Sequence, residues 1–368
     1  MKVVHIAGAR PNFMKVAPVM AALRPYTDIE QVLVHTGQHY DHGMSKVFFD
    51  DLGLPRPDYN LGVGSAPRVE QMAEIMSDFE PLCAELDPDV VTVVGDVNST
   101  VACALVAADR GVTVAHVEAG LRSFDSSMPE EVNRVITDRL SDLLFTTEAS
   151  ANENLRREGI TEDRIHFVGN VMIDSLLEHR ERARALRTSE RFDVEPNAYA
   201  LVTLHRPSNV DERDALESIV HALAHLATEL PVLFPVHPRT RQRLDGFDLL
   251  PLLGGVRLLD PLGYLEFLGL MDMARVVLTD SGGIQEETTA LGVQCLTLRH
   301  NTERPVTIEQ GTNRLVELNV DSIVRAALYS VNGGWKCRQS LPELWDGKAG
   351  QRIARVLAAH RYGPRRVS

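Results

Sequence analysis

The sequence predicts an α/β protein made of two Rossmann-like, doubly wound domains facing a cleft. Two observations carry this expectation. Short β-branched runs alternate with helical patterns along all 368 residues, and the second half echoes the first. In that echo Val90–Val94 passes through Gly95 and Asp96 into a helix that stops at Gly111, and residues 275–292 repeat the plan. A 368-residue chain that is 44% apolar is long enough for two cores.

The first strand, Val3–Ala7, ends at Gly8, and Pro11 suits a first helical position, so Gly8 to Lys15 reads as strand, turn and helix start. Arg10 supplies a planar fork and Lys15 a point charge, a pairing suited to a diphosphate. Most Arg and Lys side chains are solvated surface cations; the position at a strand's carboxyl end favours a site here. Strands follow at Gln31–Thr36, Val90–Val94 and Val112–His116. Three acids stand just past strands or at a helix start: Asp96, Glu118 and Glu130. Arg134, four residues after Glu130, shares its helix face and is expected to pair with it, with Val132, Val135, Ile136 and Leu140 facing the core. Glu131 reads as a complement to the helix dipole.

Residues 178–197, charged and closed by Glu195-Pro196-Asn197, read as a linker. The predicted boundaries are thus 1–177, 178–197, 198–349, and a C-terminal helix and tail over 350–368. Ile353, Ala354, Val356 and Leu357 give that helix an apolar face to dock on the first domain.

In the second domain, strands are predicted at Ala200–Leu204, Val232–Val236, Val276–Leu278 and Cys295–Leu298. His205 with Arg206, then His237, stand where two of these strands end, and Arg304 follows another. A histidine so placed can hydrogen-bond phosphate or donate a proton. Thr279–Glu287 combines a strand end, two glycines and a helix start, and so predicts an anion site: the first helical amides lack internal partners and carry about half a positive charge. Ser281 adds a hydroxyl, Gly282 and Gly283 admit a bulky diphosphate, and Glu286 and Glu287 suit ribose hydroxyls. An ordinary capped helix is the plain alternative. Ligands of doubly wound sheets bind beyond the strands' carboxyl ends, which puts the expected site between the domains.

A net charge of -13 argues against nucleic acid or an anionic membrane as partner. Cys83, Cys103, Cys295 and Cys337 form no CxxC pair, which predicts inert thiols, a reducing compartment and no structural zinc. The N-terminus lacks a signal-peptide layout and no apolar run reaches about 18 residues, so a cytoplasmic protein is expected.

Cations from both halves, with acids mainly from the first, suggest that the second domain holds a nucleoside diphosphate and the first works on its sugar. Removing a proton from C2 of a hexose is hard with no carbonyl beside it. It becomes feasible when the anomeric diphosphate leaves in the same step, with cations stabilising the leaving group and a carboxylate the charge at C1. Reprotonation on the opposite face then inverts C2.

Taken together, Gly8–Lys15, Gly37-Gln38-His39-Tyr40, Gly95–Thr100, His116–Arg122, Pro129–Arg134, His205-Arg206, Thr279–Glu287 and Thr302–Pro305 resemble the non-hydrolysing UDP-N-acetylglucosamine 2-epimerases over nearly the whole chain. The resemblance implies a GT-B fold, a homodimer, no metal or redox cofactor, and anti elimination to UDP and 2-acetamidoglucal followed by re-addition. It implies that Asp96, Glu118 and Glu130 are the acid/base set, supported by Lys15, Arg134 and His205. It also implies UDP ligands at Arg10, Ser281, Gly282, Gly283, Glu287 and Arg304, with Phe267 near the nucleobase. Bacterial members regulated by their own substrate carry a second glutamine where this chain has Asp41, and Arg-Glu-Asn where it has Pro207-Ser208-Asn209. Their activation by UDP-GlcNAc is therefore not carried over. Epimerisation of a 2,3-diacetamido uronic acid, hydrolysis to free N-acetylmannosamine, sugar transfer to an acceptor, and non-catalytic nucleotide-sugar sensing are the competing readings.

Overall fold

The computed structural model of the chain describes residues 1–38, 53, 56–334 and 341–360, without the side chain of Arg10. His39, Tyr40, Asp41, Cys337 and the tail 361–368 lie outside the described residues. The chain forms two compact units, residues 1–178 with 343–368, and residues 179–342.

The first unit is built on a parallel sheet of β1 (Lys2–Ala7), β2 (Glu30–His35), β3 (Tyr59–Asn60), β4 (Val90–Val94), β5 (Thr113–Ala119), β6 (Leu143–Thr146) and β7 (Ile165–Phe167). Their order is β3-β2-β1-β4-β5-β6-β7. All five residues of β4 are buried, which is why this strand reads as an unbroken apolar run: helices cover both faces of such a sheet. Those helices are α1 (Arg10–Leu23), α2 (Arg68–Leu86), α3 (Asn98–Asp109), α4 (Pro129–Leu140), α5 (Ala149–Arg157) and the start of α6 (Val171–Ala185).

The second unit repeats the plan with β8 (Ala200–Thr203), β9 (Val232–Pro235), β10 (Arg257–Leu259), β11 (Val276–Thr279), β12 (Gln294–Thr297) and β13 (Asn313–Leu315), ordered β10-β9-β8-β11-β12-β13. Its helices after α6 are α7 (Thr188–Arg191), α8 (Pro207–Val210), α9 (Arg213–Leu226), α10 (Pro238–Gly246), α11 (Tyr264–Asp272), α12 (Gly282–Leu291), α13 (Val306–Glu309) and α14 (Val320–Val331). In each unit the strand order reverses between the first strand and the fourth, β1 and β4 in one, β8 and β11 in the other. That switch opens a crevice at the strands' carboxyl ends.

The stretch expected as a linker is helical over α6 and α7 and counts with the second unit from His179 on. Arg180 and Arg184 of α6 bind the buried Asp272 at the end of α11. The last helix, α15 (Ala349–His360), belongs to the first unit, where Ile353, Ala354 and Leu357 are buried and it packs along α1. The Asp174 carboxylate caps it, accepting from the amides of Ala349 at 3.1 Å and Gly350 at 2.7 Å. The chain returns to the first unit at Glu343, before the predicted boundary at 350.

One expectation is overturned on α4. Val132, Val135 and Ile136 are 37%, 42% and 40% exposed, and the buried side is Glu131, Asn133, Arg134, Thr137 and Asp138. The helix lies against strand-end turns whose amides and carboxylates need partners, so its polar stripe turns inward. Leu140 alone of the four expected core residues packs against the core.

Candidate functional site

In the first unit the switch point is closed by Asn12. Its Oδ1 accepts from the amides of Gly8 at 3.1 Å and Ala9 at 2.7 Å, and its Nδ2 donates to the Val94 carbonyl at 3.0 Å, tying the end of β1 to the end of β4. Lys15, one turn into α1, is buried and ion-paired with Glu118. Glu118 sits at an irregularity where the β5–β6 register slips between Val117 and Ala119, and its φ is 73°. A left-handed backbone at a residue other than glycine is costly, and such strain gathers at functional positions. Asp96, in the turn after β4, accepts from Arg134 Nη1 at 2.5 Å, while Asn133 Nδ2 donates to the Asp96 carbonyl at 2.8 Å.

The expected Glu130–Arg134 pair is not formed. Arg134 binds Glu131, with Nη2 at 2.5 Å and Nε at 3.1 Å, as well as Asp96. Glu130 is exposed and has no hydrogen bond or ion pair among the described residues. Glu130 shares the side of α4 that carries Arg134, but it stands in the helix's first turn, where its side chain is exposed at the helix end. Glu131 also accepts from the amides of Ser123 and Phe124, both at 2.9 Å. Burial pushes its carboxyl up, but the Ser123 amide, the Arg134 guanidinium and the Phe124 amide outweigh that and hold it below the usual carboxylate range. Glu131 stands in the first turn of α4, as a complement to the helix dipole would, and is also bonded to Arg134 and to the Ser123 and Phe124 amides. The spacing Glu131, Arg134, Asp138, a polar stripe at i, i+3 and i+7, is the signal that identifies this inward face.

In the second unit Asp280 does the closing. This buried carboxylate at the end of β11 accepts from the amides of His205 at 3.1 Å and Arg206 at 3.0 Å, from His205 Nδ1 at 3.0 Å and from Asn209 Nδ2 at 3.2 Å. Burial pushes the Asp280 carboxyl up; the hydrogen bond and charge of His205 and the two amides hold it down. His205 is half-exposed, and its ring lies 6.4 Å from that of His237. Asp280 is not among the residues expected from the sequence, although it stands directly before Ser281 at a strand end.

Helix α12 begins at Gly282 with Ser281 as its N-cap, and the Ser281 hydroxyl makes no capping bond. A Cβ at Gly282 would meet the Arg304 guanidinium and the Glu303 carboxylate, so a larger residue would have to displace these side chains. Arg304 is buried, bonded to Glu303 and, through Nε at 2.8 Å, to Glu286. Glu303 also receives Arg299 at 2.7 Å and Arg206 at 3.6 Å. Burial raises the Glu303 carboxyl, and the Arg304 and Arg299 charges pull it far below its ordinary value. Three guanidinium groups thus meet two carboxylates beside a helix N-terminus, with the Asp280 carboxylate next to Arg206.

Glu287 instead meets the Tyr264 hydroxyl at 3.1 Å. Burial pushes its carboxyl up to about 8, with Glu286 adding to the rise and Tyr264 opposing it. Phe267 lies half-buried on α11, and Gly283 follows Gly282 in the first turn of α12. Arg10 starts α1 at the end of β1, and its side chain is outside the described residues.

A family model described as UDP-N-acetylglucosamine 2-epimerase matches residues 21–358. The chain belongs to the UDP-N-acetylglucosamine 2-epimerase family. It is 43% identical to the UDP-N-acetylglucosamine 2-epimerase of Methanocaldococcus jannaschii, covering 98% of this chain and all of that one. It is 40% identical to the UDP-2,3-diacetamido-2,3-dideoxy-D-glucuronate 2-epimerase of Pseudomonas aeruginosa, over 97% of this chain and 99% of that one. The crystal structure of the M. jannaschii enzyme in complex with UDP-GlcNAc and UDP is similar with a TM-score of 0.90 and 42% identity, covering 98% of this chain and 100% of the other. The two parallel sheets with flanking helices are those of the GT-B fold. Among the described residues no helix is long and apolar enough to cross a membrane.

Proposed function

We propose that this epimerase-family chain catalyses the reversible C2 epimerisation of UDP-N-acetylglucosamine to UDP-N-acetylmannosamine. The observation that carries the reading is the pair of cation-held carboxylates at the ends of adjacent strands, Glu118 on Lys15 and Asp96 on Arg134. One carboxylate takes the proton from C2 while the C1–O bond breaks and UDP departs with the electron pair, leaving a C1=C2 double bond. A proton delivered to the opposite face of C2, with UDP re-adding at C1, gives the epimer. Asp96, Glu118 and Glu130 are the acid/base set, with Lys15, Arg134 and His205 stabilising charge. Arg10, Ser281, Gly282, Gly283, Glu287, Arg304 and Phe267 hold the UDP, the guanidinium groups and first amides of α12 favouring the leaving diphosphate. The chain works as a homodimer, a reading supported by the outward apolar stripe Val132, Val135 and Ile136. A cytoplasmic location is supported by the buried, unpaired thiols of Cys83, Cys103 and Cys295.

The test is an NMR time course with UDP-GlcNAc in deuterated buffer. Solvent deuterium is expected at C2 of both epimers with UDP-sugar retained. Product without deuterium overturns the mechanism, and free sugar accumulating in step with UDP identifies a hydrolase. The 40%-identical relative favours a second reading, a UDP-2,3-diacetamido uronate as substrate. Relative kcat/KM on the two sugars decides between them.

A further inference from the structure

Behind the carboxylates lies a buried pair that the reaction as written does not use. His116, on β5, and Asp138, on α4, are both fully enclosed, with His116 Nδ1 2.6 Å from Asp138 Oδ1. The other ring nitrogen, Nε2, donates to the Gly95 carbonyl at 2.8 Å. The other carboxylate oxygen, Oδ2, accepts from the Gly120 amide at 3.0 Å and from Arg122 Nη2 at 2.7 Å. Arg122 in turn is held by Glu158 at 2.7 Å through both Nε and Nη2.

Gly95 and Gly120 are the turn residues next to the two proposed acids. Gly95 precedes Asp96 and has φ 67°; Gly120 stands two residues after Glu118 and has φ 79°. The Gly95 amide is tied to β5 by donating to the Val117 carbonyl at 3.0 Å, whereas the Gly95 carbonyl and the Gly120 amide are held by side chains. Here one carboxylate anchors both, directly at Gly120 and through the imidazole at Gly95. The same helix supplies Arg134 to the Asp96 carboxylate, so α4 fixes both the backbone and the side chain of Asp96.

Resting on the epimerase reading, we propose that His116 and Asp138 are positioning residues, a buried pair that sets Asp96 and Glu118 relative to each other for proton transfer at C2. Neither touches the sugar. Their effect is on geometry, where a shift of about 1 Å can cost about 100-fold in rate.

Asp138→Ala is expected to lower kcat by about 100-fold while KM for UDP-GlcNAc and Kd for UDP stay within about threefold. Asp138→Asn is expected to return kcat to within about tenfold of wild type. Its oxygen can still accept from Gly120 and Arg122, and its amide can donate to a neutral His116. His116→Phe, which removes the partner of both the Gly95 carbonyl and Asp138 Oδ1, serves as the second damaging variant. The proposal is overturned if Asp138→Ala keeps kcat within about threefold, if UDP affinity falls in step with kcat, or if Asn is as damaging as Ala, which would make charge and not position the active quantity. Failure of both Asp138→Ala and His116→Phe to fold also overturns it, since the pair would then hold the core. A wild type that exchanges no hydrogen at C2 sinks the epimerase reading, whereas a wild type that exchanges, beside variants of unchanged kcat, sinks only the pair.

Discussion

Glu118 adopts its left-handed backbone at a cost of about 1–3 kcal/mol, and the Lys15 ion pair beneath it is enclosed from water. Side chains held at such expense serve chemistry more readily than packing. Asp96→Asn and Glu118→Gln are accordingly expected to lower kcat at least about 1000-fold with UDP affinity unchanged, whereas Arg304→Ala weakens UDP binding about tenfold or more; isothermal titration with UDP beside turnover assays checks the split. Glu287 offers a pH test. Its carboxyl, pushed up to about 8, is neutral at pH 7 and ionises above 8 next to Glu286 and an incoming diphosphate. UDP affinity is therefore expected to fall about tenfold between pH 7 and pH 9. Glu287→Gln, which mimics the neutral acid, is expected to abolish that fall. A wild-type affinity flat across this range contradicts the role.

Helix α4 shows where a sequence stops being legible. Its amphipathic period was plain, but period alone does not say which stripe faces in, and the usual rule puts Val132, Val135 and Ile136 inside. The rule loses here because Glu131, Arg134 and Asp138 find buried charge partners at the sheet's carboxyl end, outweighing what three partly exposed aliphatics would gain. Strands such as β4 are readable as unbroken apolar runs, while the fully buried but four-residue β6, and β3, β7, β10 and β13, two or three residues each at sheet edges, are too short to show a period. Candidate site residues beside a glycine or proline at a strand end are the ones a sequence can suggest. Asn12, Asp280 and Asp138 act through bonds that join distant segments, Asn12 to Val94, Asp280 to His205 and Asp138 to Gly120, which spacing cannot express. The outward stripe yields its own prediction. Val135→Asp combined with Ile136→Asp is expected to convert a dimer to a monomer by light scattering while leaving the far-ultraviolet dichroism intact, and persistence of the dimer points to another face.

At the scale of the molecule, two sheets of the same strand order each place a ligand-ready switch point, and in each a single polar side chain, Asn12 or Asp280, fastens the two strand ends. The first unit is completed only by α15, through Asp174. Burial pushes that carboxyl up to about 6 against the pull of the Gly350 and Ala349 amides. A carboxyl whose native pKa is raised favours the fold while protonated, so its contribution is full below about pH 4 and fades as pH rises through about 6. Between pH 5 and pH 8 wild-type stability, relative to Asp174→Asn, is expected to fall by about 1.4 kcal/mol; urea unfolding of both proteins at each pH measures it. The division of the chain also dictates a sequence of events during synthesis. Residues 179–342 are contiguous and leave the ribosome as a finished unit, whereas the opening 178 residues must wait, unsealed, until the final helix emerges. The part made first is therefore the part completed last.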